Sequence, residues 1–213
     1  LNMATITVVD YGMGNLRSVA KALEQIAPAQ RIRISQHARD IDRADRVVLP
    51  GQGAMAACMR SLWECDLVES LLKAASSRPF LGICLGPQAL LEFSEENQGV
   101  RGLGVLPGRV RHFASGFDRV QSAPLKIPHM GWNRVHQRSH PLWQGIAANS
   151  WFYFVHSYYL DPADATLVTG TADYGFEFTA AIGRENVFAV QFHPEKSAAP
   201  GLQLLANFST WSP

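Results

Sequence analysis

Residues 79–88 read Pro-Phe-Leu-Gly-Ile-Cys-Leu-Gly-Pro-Gln, and no other stretch constrains the chain as strongly. A short apolar run ends in Gly-x-Cys-x-Gly and passes at once into helix-compatible sequence. The pattern predicts a buried strand, a sharp turn and a helix N-terminus, with Cys84 projecting from the turn. Flanking glycines tolerate a strained backbone. A helix N-terminus presents amide donors and a favourable dipole. On these residues alone two readings stay open: a reactive thiol in a cleft, or a turn that needs glycines for steric reasons around an inert cysteine.

Around this stretch, strands and helices alternate. Residues 4–10 (ATITVVD) are a β-branched run read as a buried strand. After a loop holding Gly12 and Gly14, Leu16, Val19, Ala20, Leu23 and Ile26 recur at helical spacing. Further strands are predicted at 31–35 and 46–49. Residues 54–76 read as helical, with a break near 64–66. The helix after Cys84 is expected to carry Ala89, Leu90, Leu91 and Phe93 to the core. Such alternation predicts a parallel, doubly wound sheet with its sites at the carboxyl ends of the strands. The loops after Asp10, Leu49 and Ile83 then open on one edge.

From Gly99 onward, strand-like segments at 105–113, 124–133, 151–159, 166–171, 178–183 and 187–192 lack crossover helices, so some must pair antiparallel. A last helix begins near Ala199 and buries Leu202, Leu205 and Phe208. The expectation is one α/β domain over residues 1–213, with a mixed sheet.

Composition excludes several function classes. A formal net charge of +1 offers no electrostatic handle for nucleic acid or an anionic membrane, and Arg31 and Arg33 read as a solvated edge. Three cysteines without CxxC spacing make neither a disulfide framework nor a zinc site. Cys58 and Cys65 read as buried or half-buried thiols on a helix. Gly12 and Gly14 lack the third glycine of a dinucleotide fingerprint. No metal and no cofactor are expected. No secretory leader precedes the first strand, and no apolar run reaches the ~18 residues of a membrane span, so a reducing, cytoplasmic setting is expected. Whether Leu1 and Asn2, ahead of Met3, are native stays open.

Chemistry at Cys84 needs a base, an orienter and an oxyanion hole. Residues 191–197 (QFHPEKS) follow an apolar strand and place His193 at its carboxyl end. An imidazole can take a thiol's proton. A carboxylate on its other nitrogen fixes the tautomer and stabilises the imidazolium. Glu195, two residues on and across a proline, suits that role; the alternative is a surface turn with a solvated Glu. The Leu85 amide, directly after Cys84, is one candidate oxyanion donor. Pro50-Gly51-Gln52-Gly53 is the other, because glycines flanking Gln52 let its peptides reorient cheaply; the alternative is a plain turn.

With these pieces assembled, the chain resembles the class I, triad-type glutamine amidotransferases, and most closely the glutaminase subunits of imidazole glycerol phosphate synthase. The resemblance rests on residues 10–19 (DYGMGNLRSV), 49–54 (LPGQGA), 79–88, 102–108 (GLGVLPG), 128–133 (PHMGWN), 152–158 (FYFVHSY) and 191–197, in that order. It implies a flavodoxin-like layered fold, with a central mostly parallel mixed sheet, flanking helices and additional antiparallel strands. It implies that Cys84 attacks the side-chain amide of L-glutamine, that His193 shuttles the proton and that Glu195 orients His193. Gln88, Ser157 and Tyr158 match substrate-holding positions, together with backbone around Gly51 and Gly53. The resemblance further implies that ammonia passes to a (β/α)8-barrel synthase partner in histidine biosynthesis, that it reacts there with a phosphoribulosyl-formimino ribonucleotide to give imidazole glycerol phosphate and aminoimidazole carboxamide ribotide, and that the partner switches the glutaminase on.

Trp132, Asn133, Tyr153 and Lys196 map to the partner-facing side. The alternatives are core packing for Trp132 and Tyr153 and a solvated charge for Lys196. His129 and His156 read as structural. One position departs from the resemblance. Pro87 stands where Met or a polar residue is usual, which removes an amide beside the nucleophile.

Three rivals remain. One is a glutaminase serving another pathway. Another is a non-catalytic module that only binds the synthase. The third is a cysteine hydrolase with the same elbow, which would take its acid from Asp161, Asp164 or Asp173 rather than Glu195.

Overall fold

The computed structural model describes residues 3–121 and 123–213; Leu1 and Asn2 lie outside them. The alternating half comprises β1 (Thr5–Val9), α1 (Leu16–Ile26), β2 (Arg31–Ser35), α2 (Ala38–Asp42), β3 (Arg46–Gly51), α3 (Met55–Glu64), α4 (Val68–Ala75), β4 (Phe80–Cys84) and α5 (Leu85–Leu90). The rest comprises β5 (Phe93–Ser94), β6 (Val100–Arg101), β7 (Gly108–His112), α6 (Phe113–Val120), β8 (His129–Arg134), β9 (His136–Gln137), β10 (Trp151–His156), β11 (Tyr158–Pro162), β12 (Val168–Asp173), β13 (Glu177–Arg184), β14 (Val187–Val190) and α7 (Ala198–Thr210).

A mixed sheet runs in the order β2-β1-β3-β4-β14-β13-β11-β7-β5-β6, with β12 on β13 and β9 on β12. From β2 to β14 every pair is parallel; β14–β13, β13–β11 and β11–β7 are antiparallel. The fold is therefore α/β, with the mostly parallel core and added antiparallel strands expected from the sequence. The separate ribbon of β8 and β10 pairs antiparallel, His129 against His156 and Trp132 against Tyr153.

The central strands are apolar throughout because both of their faces are buried. Ile6, Val8, Val48, Leu81, Ile83, Phe188 and Val190 enter one core. Val9, Val47, Leu49, Phe80, Val187 and Ala189 enter the other. Side-chain alternation thus divides continuous apolar runs between two layers. Helix α1 buries Val19, Ala20 and Leu23. The expected break in the 54–76 helix falls at Asp66, in the left-handed region at φ +56°. Full burial of a leucine-sized side chain stabilises by about 2 kcal/mol.

Several local expectations fail. Helix α5 stops at Leu90, and Phe93 is half-buried on β5. The carbonyls of Ala89, Leu90 and Leu91 are taken by the amides of Leu103, Leu106 and Gly104, so a folded-back loop ends the helix. Leu205 and Phe208 of α7 are buried, but Leu202 only partly so. Helices α2 and α6 go unforeseen; each is short and follows a strand directly. The apolar stretch 151–159 is two strands, since Ser157 alone separates β10 in the ribbon from β11 in the main sheet. Cys58 is buried and Cys65 half-buried, both as free thiols. Arg33 is ion-paired with Asp40 rather than solvated alone. Among the described residues, no helix is long and apolar enough to cross a membrane.

Candidate active site

Because β3, β4 and β14 are parallel, their carboxyl ends share one edge. Register places Gly51 opposite Cys84 on one side and Val190 opposite Ile83 on the other, so Gln191 flanks the turn. Cys84 itself carries the strain, at φ 58° and ψ −93°, a conformation that costs a non-glycine residue of order 1–3 kcal/mol. The flanking glycines do not share it; they answer close approach instead. A β-carbon on Gly86 would lie 2.2 Å from the Leu49 carbonyl oxygen, and one on Gly82 would lie 3.0 Å from both the Ala189 β-carbon and the Pro87 nitrogen. Pro87 occupies the first turn of α5, where a missing N–H costs no helical bond.

Gln191, fully buried, braces the elbow. Its Nε2 donates to the Cys84 carbonyl at 3.1 Å and lies 4.0 Å from Sγ, while its Oε1 accepts from Gln88 Nε2 at 3.1 Å. A cleft of about 360 Å³ opens over the thiol. Gln52, Gly53, Cys84, Leu85, Gln88 and His193 line it with Ser157 and Tyr158, and so does Lys196, expected on the partner-facing side. Gly51 does not line it. A β-carbon there would meet Tyr11 Oη at 2.4 Å and Leu85 Cβ at 2.7 Å. The Tyr11 hydroxyl also donates to the Pro50 carbonyl at 2.8 Å. Gly51 thus answers a close approach, whereas Gly53 sits in the left-handed region at φ +90°.

Behind the cleft, His193 Nδ1 sits 2.9 Å from Glu195 Oε1, and both side chains are buried. The rival acids are engaged or oriented elsewhere: Asp161 pairs with Arg111, Asp164 accepts from Thr166 and Asp173 is exposed. Burial alone pushes the His193 imidazolium down, but the Cys84 sulfur and the Glu195 carboxylate outweigh it and raise His193 to about 10. His193 Nε2 meets no partner at hydrogen-bond geometry among the described residues, although the thiol is close enough to exert this influence. The backbone is tied to the ribbon: the His193 amide donates to Tyr153 O at 2.9 Å, and Ser197 Oγ donates to His193 O at 2.6 Å.

Trp132, 51% exposed, stacks edge-on with half-buried Tyr153 at 6.1 Å, and Lys196 Nζ stands 6.0 Å over the Tyr153 ring. They form one surface beside the cleft, so Trp132 is not core. Asn133, on the same strand, turns inward to His129 and Asp173.

Pro128, Val155 and His156 also line the cleft without a site role read from the sequence, and two further residues of the site, one behind the elbow and one in the cleft, are not singled out. Gln191 continues an apolar strand and carries no signal except that it is polar there. Glu96 lines the cleft from an irregular turn, where its Oε2 accepts the Met55 amide at the start of α3 at 2.7 Å. Among the described residues, no cluster of His, Cys, Asp and Glu fits a metal.

Comparison with known proteins gives the family and the fold. The family profile of glutamine amidotransferase class-I matches residues 7–210. The imidazole glycerol phosphate synthase subunit HisH of Methylococcus capsulatus is 56% identical over 213 residues, covering 99% of this chain and 98% of the relative. The HisH subunit of Nitrosococcus oceani is 57% identical over 211 residues, covering 99% of each chain. Among solved structures, a glutamine amidotransferase superposes with a TM-score of 0.70 at 17% identity, over 96% of this chain and 99% of the other. PurLQS from Thermotoga maritima gives 0.67 at 18% identity, over 98% of each. The structural likenesses carry the fold and the sequence relatives carry the family: the chain belongs to the class I glutamine amidotransferases and, within them, to the HisH subunits of imidazole glycerol phosphate synthase.

Proposed function

We propose that the chain hydrolyses L-glutamine through Cys84, His193 and Glu195 and passes the ammonia to a (β/α)8-barrel synthase subunit. The observation that carries this reading is Cys84 at a strained elbow, facing the same cleft as a buried His193–Glu195 pair. His193 takes the Cys84 thiol proton, the thiolate attacks the side-chain amide carbon, and the carbonyl electrons move onto oxygen. The Leu85 amide stabilises that oxyanion, joined by a donor from the Gln52–Gly53 side of the loop. As the tetrahedral species collapses, His193 delivers its proton to the departing nitrogen. Ammonia leaves and a γ-glutamyl thioester remains. His193 then takes a proton from water, which attacks the thioester and releases glutamate and the free thiol.

Gln88, Ser157 and Tyr158 hold the substrate. Glu96 is a carboxylate in the same cleft and matches the substrate's α-ammonium group. Trp132, Tyr153 and Lys196 face the barrel, with Asn133 beneath them. Ammonia reacts there with the phosphoribulosyl-formimino ribonucleotide to give imidazole glycerol phosphate and aminoimidazole carboxamide ribotide. An oxyanion donor absent at rest and supplied on partner binding accounts for activation, since one such donor is worth about 3 kcal/mol of barrier.

The test is glutamine hydrolysis with and without the barrel subunit and its ribonucleotide. Slow turnover alone and a rise of orders of magnitude in the complex are expected. Equal rates would remove the switching part of the reading. Labelling of Cys58 or Cys65 in place of Cys84 by a glutamine-analogue electrophile would remove the site assignment.

A further inference from the structure

The reaction above leaves a pair of buried imidazoles unused. His129 on β8 and His156 on β10 face each other across the ribbon, with His129 Nδ1 2.8 Å from His156 Nε2. The direction of each hydrogen bond is forced from both ends. His156 Nδ1 lies 2.7 Å from the Tyr158 carbonyl, which can only accept. His156 is therefore protonated on Nδ1, and its Nε2 is an acceptor. His129 Nδ1 must donate to it, which leaves His129 Nε2 as an acceptor.

At the other end, Asn133 Nδ2 donates to the Asp173 carbonyl at 2.7 Å, and the Asn133 amide oxygen accepts from the Arg134 backbone at 2.8 Å. With the amide so fixed, its second hydrogen meets His129 Nε2 at 3.2 Å. Both rings are neutral Nδ1–H tautomers, and every donor along the chain points toward Tyr158. Bonds aligned in this way polarise one another. A second proton on either ring would oppose two N–H groups. Phe113, Phe154 and Phe178 pack on both rings and Tyr174 on His129, and burial pushes both imidazoles down, with His193 adding to the effect on His156.

The two ends serve different surfaces. Asn133 follows the exposed Trp132 on β8, whereas Tyr158 opens β11 and lines the cleft with Ser157. We propose that Asn133, His129 and His156 form a positioning relay through which the partner-facing strand β8 sets the backbone of the substrate-holding Ser157 and Tyr158. The proposal rests on the functional reading above for both the partner and the substrate segment. The three side chains act through Tyr158 and take no part in bond breaking.

The experiment uses the complete complex with glutamine, the barrel subunit and its ribonucleotide. His129→Phe keeps an aromatic ring in place and cuts the relay. The expected result is a roughly tenfold rise in KM for glutamine, with kcat changed less than about threefold. His129→Asn, whose amide restores the donor to His156, recovers most of that loss. His156→Asn keeps the bond to the Tyr158 carbonyl and loses the link to His129, together with part of the cleft wall and the packing on Phe113, Phe154 and Phe178, and gives at least the same rise in KM should His129→Phe fold poorly. Imidazole 15N spectra of the wild-type protein show both rings neutral and protonated on Nδ1 through the neutral range. Wild-type kinetics in both relay-cutting variants, or His156 protonated on Nε2 in the wild type, overturns the relay. A wild type that the barrel subunit does not stimulate overturns the functional reading and the relay's partner end with it. A stimulated wild type beside equally active variants overturns the relay alone.

Discussion

In the parallel half of the sheet, Cys84 and His193 reach the cleft because strand ends put them there; in the β8–β10 ribbon, Val155 and His156 line it from along a strand, and His129 and Asn133 connect to it through hydrogen bonds between neighbours. The first arrangement is held on all sides. Leu49 crowds Gly86, Gln191 holds the Cys84 carbonyl, and both faces of β4 are packed. The second stands apart from the main sheet, with Met130, Trp132 and Trp151 exposed along it. The nucleophile sits on a strand packed on both faces, whereas the ribbon buries Phe152 and Phe154 on one face and leaves Met130, Trp132 and Trp151 exposed on the other.

The comparison can be broken most severely at the nucleophile. Cys84→Ala should lower partner-stimulated glutamine turnover by at least ~10⁴-fold while leaving partner affinity unchanged; retained turnover would move the chemistry elsewhere. Next comes Glu195→Gln, with an expected loss of about 10³-fold in kcat, because the imidazolium loses its carboxylate. Its pH signature has a definite sign. His193 is raised from 6.5 to about 10, so its protonated form contributes stability below about pH 6.5 and loses that contribution as pH rises toward 10. Stability curves of wild type and Glu195→Gln should therefore converge with rising pH in denaturant titrations.

Third is Gly86→Ala, which forces a methyl group onto the Leu49 carbonyl and should cost about 3 kcal/mol in unfolding free energy. An unchanged melting temperature would show the elbow to be less tightly held than the contrast requires. The smallest effect is expected at the ribbon surface. Trp132→Ala should weaken the complex by about 1–2 kcal/mol in calorimetry and leave iodoacetamide alkylation of Cys84 in the isolated chain unaltered.

Legibility in the sequence follows the same division. The parallel strands are readable because burial on both faces makes them continuous apolar runs, and each motif ends on the shared edge. Cys84, His193 and Glu195 stand out there as polar or reactive residues after such runs. Gly82 and Gly86 are readable as constrained, but the constraint is steric contact with the neighbouring strands and the chain just after the elbow, which only the register reveals. Gly51 reads as flexible and is wedged between Tyr11 and Leu85 for the same reason. Glu96 and Gln191 depend on tertiary placement, one in an irregular turn and the other beside Cys84. His129 and His156 are buried among aromatic rings, and their alignment depends on an antiparallel pairing that residues 128–158 do not disclose locally. Helices α2 and α6 are too short for a helical period to emerge.

Ser157, the lone residue between the ribbon and the main sheet, makes the cleft wall a shared boundary. His156 before it pairs with His129 of the ribbon, and Tyr158 after it pairs with His112 of the main sheet. The same β10 strand accepts the His193 amide at the Tyr153 carbonyl. A substitution that displaces β10 is therefore felt at two places in the cleft, the wall beside Tyr158 and the backbone of His193.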